Sequence, residues 1–220
     1  PMDGSRKCWR VNGITYYWRN GQLICRTSKN EKRAPRKDEN GKELPLRSPA
    51  QEKSSSVFSE AQAMTKAYFL AHGHLLIWVV APKTKPGQSS WALHRHLNKA
   101  AYIPDEGVRY FNSYRFSHGI LELPDNFTVR RDGWHVTLEW EDDRDQPAAA
   151  AGDLLFVGYF HGGYPRSPLL VPATGATRGE QRAEFDIPPL DQPDGGVLHL
   201  YPFFGRADKS AYAGSYYMRC

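Results

Sequence analysis

Two Asn-Gly dipeptides, at residues 12–13 and 20–21, lie between stretches of β-branched and aromatic residues near the start of the chain. A two-residue type I′ turn needs positive φ at both central positions, and Asn-Gly is the pair that meets this need best. Two such turns, one after the other, connect three short strands. The sequence therefore predicts an N-terminal three-stranded β-meander within residues 1–27.

The turns also determine which residues lie opposite one another, because a two-residue loop pairs the residues that flank it. Successive side chains of each strand then point to opposite faces of the sheet. One face then collects side chains that are almost all apolar. A three-stranded sheet with such a face is marginal alone, so we expect this chain's following helix or a neighbouring molecule to cover it. The predicted partner-binding residues on this face are Trp9, Tyr16, Trp18 and Leu23.

The opposite face of the predicted meander is basic. Its candidate anion-contacting residues are Arg10, Tyr17, Arg19 and Arg26. Guanidinium groups and an aromatic ring suit contact with phosphate or nucleic acid. A solvated outer face is the alternative interpretation, because basic surface residues are common.

Charge is distributed unevenly along the chain. Residues 1–53 contain thirteen Lys and Arg against six Asp and Glu, whereas the remainder contains sixteen against eighteen. Such an excess favours an acidic partner, and nucleic acid is the alternative partner to a protein. Residues 28–47 are charged and interrupted by two prolines, which predicts a linker.

Composition restricts the location of the chain. No run of about 18 apolar residues occurs, so we predict no membrane span. The three cysteines, Cys8, Cys25 and Cys220, lack metal-ligand spacing, which favours a reducing compartment. We expect a cytoplasmic protein or one within an assembled particle, while a signal segment removed before Pro1 stays open.

Residues 48–106 have the pattern of a helical segment. Ser48 followed by Pro49 is a typical helix start, and apolar residues recur at helical spacing through Tyr68. A second helix is expected over residues 90–101. From residue 107 the pattern changes to short apolar or alternating runs, the first at 108–116 and the last at 212–218. We therefore predict an α+β, mainly β chain whose residues 107–220 form an antiparallel sandwich of the immunoglobulin or fibronectin type.

Patterns that carry catalytic or metal chemistry are weak. His72 and His74, like His94 and His96, are two residues apart, so on a helix each pair diverges and cannot share one ion. The acidic run at 139–145 lacks the spacing of a calcium loop and is interpreted as a solvated turn. No nucleophile or phosphate-loop motif occurs. We predict no catalytic residue, no metal, no cofactor and no enzymatic activity.

The order of these parts resembles a family of domains of unknown function that is abundant in Bacteroides-type bacteria. The similar stretches are WRVNGITYYWRNGQLICR at 9–26, RSPAQEKSSSVFSEA at 47–61, LNKAAYIPDEGVRYFNSYRFSHGIL at 97–121, WHVTLEWEDD at 134–143 and LHLYPFFGRADKSAYAGSYYM at 198–218. The charged segment after Arg26 and the AHGHLLIWVV segment at 71–80 depart from the family pattern. The resemblance implies the hairpin, helical middle and C-terminal sandwich, and it implies no activity.

These observations predict a non-catalytic structural or interaction protein. Its N-terminal aromatic hairpin would assemble with another copy or with a protein partner, as in a phage-like or other repeating particle. Nucleic-acid binding through the basic N-terminal third is the alternative function.

Overall fold

The computed structural model describes residues 8–11, 14–19, 21–27, 37–45, 47–142, 149–188 and 196–220, with Arg10 and Arg19 described by their backbone alone. The chain divides into two compact units, Pro1–Ser48 and Pro49–Cys220. The segments predicted as meander (1–27) and linker (28–47) lie in the first unit. The segments predicted as helical (48–106) and as sandwich (107–220) share the second, apart from Ser48.

The first unit contains an antiparallel sheet with the register that the Asn-Gly turns predict. Its strands are β1 (Cys8–Val11), β2 (Ile14–Arg19) and β3 (Gln22–Thr27), in that spatial order. Trp9 lies opposite Tyr16, and Trp18 lies opposite Leu23. Gly21 has a φ of +75°, which is the left-handed conformation that the second turn requires.

The part of the predicted linker that the structure describes, residues 37–45, forms a small turn. Lys37 and Glu43 pair as an isolated bridge around it. The carboxylate of Asp38 accepts hydrogen bonds from the backbone amides of Asn40, at 3.0 Å, and Lys42, at 2.8 Å. This segment therefore satisfies part of its own backbone locally.

The second unit begins with the helices. They are α1 (Pro49–His72), α2 (Ile77–Val80) and α3 (Ser90–Asn98), with 3₁₀ turns at Gly73–Leu75 and Lys99–Ala101. The predicted start at Pro49 is confirmed, and Tyr68 faces the core as its spacing indicates. The hydroxyl of Ser89 caps α3 by accepting the Ala92 amide at 3.2 Å.

The strands of the second unit are all antiparallel. They are β4 (Tyr102–Ile103), β5 (Gly107–Val108), β6 (Asp125–Asp132), β7 (His135–Glu141), β8 (Leu154–His161), β9 (Leu169–Leu170), β10 (Arg182–Asp186), β11 (Leu198–Gly205) and β12 (Met218–Arg219). They form a three-stranded sheet of order β10-β7-β6, a four-stranded sheet of order β12-β11-β8-β9, and the β4-β5 hairpin. The chain is therefore α+β and mainly β, as the sequence predicts.

Two predicted runs are strand only at their ends. Residues 109–116 contain the 3₁₀ turn Phe111–Ser113, and 212–217 lie outside the named strands. The backbone groups of these residues form individual hydrogen bonds, some of them to side chains, instead of the regular pairing of a sheet. The amide of Phe116, for example, donates to the hydroxyl of Ser215, at 3.0 Å. The apolar residues of both runs are packed into the core from loops. The spacing of apolar residues in a sequence does not distinguish such a loop from a strand.

The four-stranded sheet is the middle layer of the second unit. One face shares a hydrophobic cluster with the three-stranded sheet, through residues that include Val136, Leu138, Val157, Leu200 and Phe204. The other face shares a second cluster with the helices, through residues that include Tyr68, Trp78, Phe160, Tyr201 and Phe203. All eight residues of β11 are consequently buried.

Replacing Gly158 of β8 with alanine tests the packing on the helical side of this sheet. A Cβ at this position would overlap the ring of Phe116. Overpacking of this kind costs about 1–3 kcal/mol, so we expect Gly158→Ala to lower the free energy of unfolding by that amount in urea titrations. The control is Gly152→Ala, where no atom lies within 4 Å of the added Cβ. Equal stability of the two variants would contradict the close contact between β8 and Phe116.

Candidate functional site

The first candidate surface is the aromatic face of the N-terminal sheet. Strand register places on it the uncharged residues Trp9, Val11, Ile14, Tyr16, Trp18, Leu23, Cys25 and Thr27. Trp9 and Tyr16 stack with ring centroids 5.7 Å apart. Trp18 is 54% exposed and Leu23 is 49% exposed. The shared face is confirmed, and within the first unit neither Trp18 nor Leu23 is covered. Cover by the following helix or by a neighbouring molecule therefore stays a prediction.

The opposite face of this sheet keeps its predicted register. Arg10 and Arg26 both lie opposite Thr15, and Arg19 lies opposite Gln22. Arg26 is exposed and Tyr17 is half-buried, while the side chains of Arg10 and Arg19 lie outside the described residues. The face thus places basic residues near one another by register, and their role in binding an anion stays a prediction.

The second candidate surface is a groove of about 570 Å³ between α1 and α3. Residues at helical spacing on one side of each helix line it. They are Ala50, Lys53, Ser54, Val57, Phe58 and Ala61 from α1, and Ala92, Arg95, His96 and Lys99 from α3 and the turn after it. The volume lies within the range of about 300–1,000 Å³ that is typical of binding pockets.

The rim of this groove is basic and its floor is apolar. Lys53, Arg95 and Lys99 supply positive charge, and the lining contains no carboxylate. The guanidinium carbon of Arg95 lies 4.5 Å from the ring centroid of Phe58, which is a cation–π contact. Within the described part of the chain no carboxylate forms an ion pair with these three cations. Sequence reasoning missed this site, whose signal is the i, i+4 spacing of Arg95 and Lys99.

The paired histidines have separate environments. His72 is buried with Nε2 2.9 Å from the carbonyl of Pro168, whereas His74 is exposed. His94 is fully buried with Nδ1 2.9 Å from the hydroxyl of Thr65, and burial lowers its pKa to about 3. Among the residues that the structure describes, no group of three His, Cys, Asp or Glu side chains could hold a metal ion.

The acidic run after β7 has a structural role in the part that is described. Asp142 accepts a hydrogen bond from Nε of Arg178 at 2.6 Å, and both side chains are buried. The interpretation of this run as a solvated turn is therefore wrong at Asp142, because a buried arginine needs a charged partner. Trp140 donates its indole N–H to the Arg178 carbonyl, at 2.8 Å. Residues 143–148 of the run and its surroundings lie outside the described residues.

Comparisons with models of protein families, with curated proteins and with solved structures find no match to this chain. The resemblance to the Bacteroides-type family stays a prediction for that reason. Of the helices that the structure describes, none combines the length and the apolarity needed to cross a bilayer. Inference about the function of this chain therefore rests on the geometry of the two surfaces.

The buried neutral state of His94 predicts that the protein loses stability in mild acid. The unfolded imidazole has a pKa near 6.5, so below that pH the unfolded chain binds a proton that the folded chain does not. The free energy of unfolding should fall by about 1.4 kcal/mol per pH unit from this group between about pH 6.5 and about 3. In urea titrations at several pH values, His94→Gln should give a shallower decline than the parent chain. An unchanged slope would contradict neutral burial of His94.

Proposed function

We propose that this chain is a non-catalytic interaction protein that associates through the aromatic face of its N-terminal sheet. The observation that carries the proposal is the exposure of Trp18 and Leu23 on a face whose described residues are all uncharged. Large apolar side chains gathered on one exposed face are unusual on a monomer and are typical of a protein interface. The partner-binding residues would be Trp9, Tyr16, Trp18 and Leu23.

A second copy of this chain is the partner that the face fits best. Two copies of an uncharged surface can pack against each other without burying an unpaired charge. Each exposed tryptophan that becomes buried would contribute about 25 cal/mol per Å² of apolar area removed from water. Association would also stabilise a three-stranded sheet that is marginal alone. Because this face-to-face contact closes at two copies, a repeating particle, including a phage-like one, would need a second contact elsewhere on the chain.

The second unit would be the domain that association through the N-terminal sheet brings together with that of another copy. We propose that its two facing antiparallel sheets form an immunoglobulin-type sandwich, and their shared cluster around Val136 and Leu200 supports this. Domains of this architecture often serve binding and assembly, which is an argument by analogy of fold. The proposal includes no catalytic residue, metal or cofactor.

Nucleic-acid binding is a second proposed function, favoured by the register that puts Arg10 and Arg26 opposite the same residue, Thr15. Phosphate contacts would come from the arginines, and Tyr17 would supply a stacking surface. This binding would weaken steeply with salt, because each contact releases counterions from the nucleic acid. If the chain does not bind a short single-stranded DNA at low salt, nucleic-acid binding is refuted.

Association through the aromatic face predicts that Trp18→Ser weakens dimerisation of the full-length chain. Loss of one buried indole should raise the dissociation constant at least about tenfold, equivalent to about 1.4 kcal/mol. Sedimentation equilibrium over a range of concentrations measures this change. Leu23→Ser should act in the same direction, which distinguishes loss of the interface from a fault specific to Trp18.

The matched control is Arg26→Ser, which changes an exposed residue on the opposite face of the same sheet. We expect its dissociation constant to stay within about twofold of the parent value, because surface substitutions away from an interface change little. A parent chain that is monomeric at the highest concentration studied would refute self-association. So would a loss of association in Arg26→Ser equal to that in Trp18→Ser.

A further inference from the structure

The groove between α1 and α3 has the length of a short helix. Its lining on α1 extends from Ala50 to Ala61, which corresponds to about 17 Å, or three helical turns. Ala50 and Ala92 are small and at least partly accessible, so the backbone of an occupant can come close to both helices there. Ala61, at the far end of the lining, is buried. Phe58 is 50% exposed and supplies an apolar contact.

Charge around the groove restricts the chemistry of that occupant. Lys53, Arg95 and Lys99 lie along its lining from both helices, and no lining residue is acidic. The stacking of Arg95 on Phe58 places a positive charge beside an exposed ring. An occupant that fits both properties carries an apolar stripe flanked by carboxylates.

We propose that this groove binds an acidic amphipathic helix of a partner protein. The apolar stripe of that helix would contact Phe58, the partly exposed Val57 and the accessible alanines of the lining. Its glutamates or aspartates would pair with Arg95 and Lys99. This is the helix-in-groove mode of recognition, in which apolar anchors recur at i, i+3, i+4 and i+7. Nucleic acid matches the charge of the rim but not the apolar floor with its small residues. The proposal is independent of association through the N-terminal sheet.

The experiment uses the full-length chain and a fluorescein-labelled synthetic peptide of about three to four helical turns. The peptide has leucines at i, i+3, i+4 and i+7 and glutamates on both flanks. One comparison peptide has the same composition in scrambled order, and another has lysine in place of every glutamate. Fluorescence anisotropy measures each dissociation constant. The protein variants are Arg95→Glu with Lys99→Glu, and Phe58→Ala.

The proposal expects the acidic amphipathic peptide to bind at least about tenfold more tightly than either comparison peptide. The double charge reversal should weaken it at least about tenfold, and Phe58→Ala should weaken it severalfold. Lys66→Glu is the matched control, because Lys66 is an exposed cation of α1 that does not line the groove. Its affinity should stay within about twofold of the parent value.

Several results would overturn the proposal. One is absence of peptide binding by a parent chain whose circular dichroism shows it folded. Another is equal binding of the scrambled peptide, which would mean attraction by charge alone. A third is tighter binding of a short DNA that is lost in the charge-reversed variant but not in Phe58→Ala, which would assign the rim to phosphate. Equal weakening by Lys66→Glu would show that the groove is not the site.

Discussion

Burial of β8 and β11 on both faces is the constraint on which the second unit depends. Each strand must supply apolar side chains in two directions, and their sequences, LLFVGYFH and LHLYPFFG, do so almost without interruption. Alternation then assigns Val157 and Leu200 to the cluster shared with the three-stranded sheet, and Phe160 and Tyr201 to the cluster shared with the helices. Neither cluster can form without this central sheet, so both layers depend on the same two strands.

Ion pairs and hydrogen bonds with at least one buried partner hold the outer layers in position. On the helical side, Arg166 contacts Glu60 of α1 through Nε and Nη2, at 3.0 and 2.8 Å, and the Tyr68 hydroxyl donates to the Phe116 carbonyl at 2.8 Å. On the other side, Arg178 and Asp142 form a fully buried ion pair. Removing one partner of such a pair leaves an uncompensated charge, at a cost of about 3–5 kcal/mol. These contacts therefore define where α1 and the loops attach, while the apolar clusters supply most of the stability.

Sequence-based prediction is accurate for features whose signals lie within a few residues of one another, and it fails for features that depend on distant residues. The register of the N-terminal sheet follows from two turns, and α1 begins at Pro49 because the signal for its start lies within a few residues. The apolar runs of β8 and β11 indicate burial, but they do not say whether helices or a second sheet cover each face. A single arginine such as Arg178 shows no sign of burial in sequence, since its partner Asp142 lies 36 positions away along the chain. The groove combines two helices, so its basic rim is visible only after they pack.

The two surfaces differ in a way that determines how each can be used. The described residues of the aromatic face carry no charge, so its association would respond weakly to salt and would favour a surface of the same kind. The groove combines an apolar floor with cations that form no ion pair among the described residues, so it would discriminate by charge and would lose affinity as salt rises. Apolar burial sets the strength of contact at the face, whereas charge sets the choice of occupant at the groove. The two surfaces would therefore select different ligands, an uncharged one at the face and an acidic one at the groove, because neither surface suits the ligand of the other.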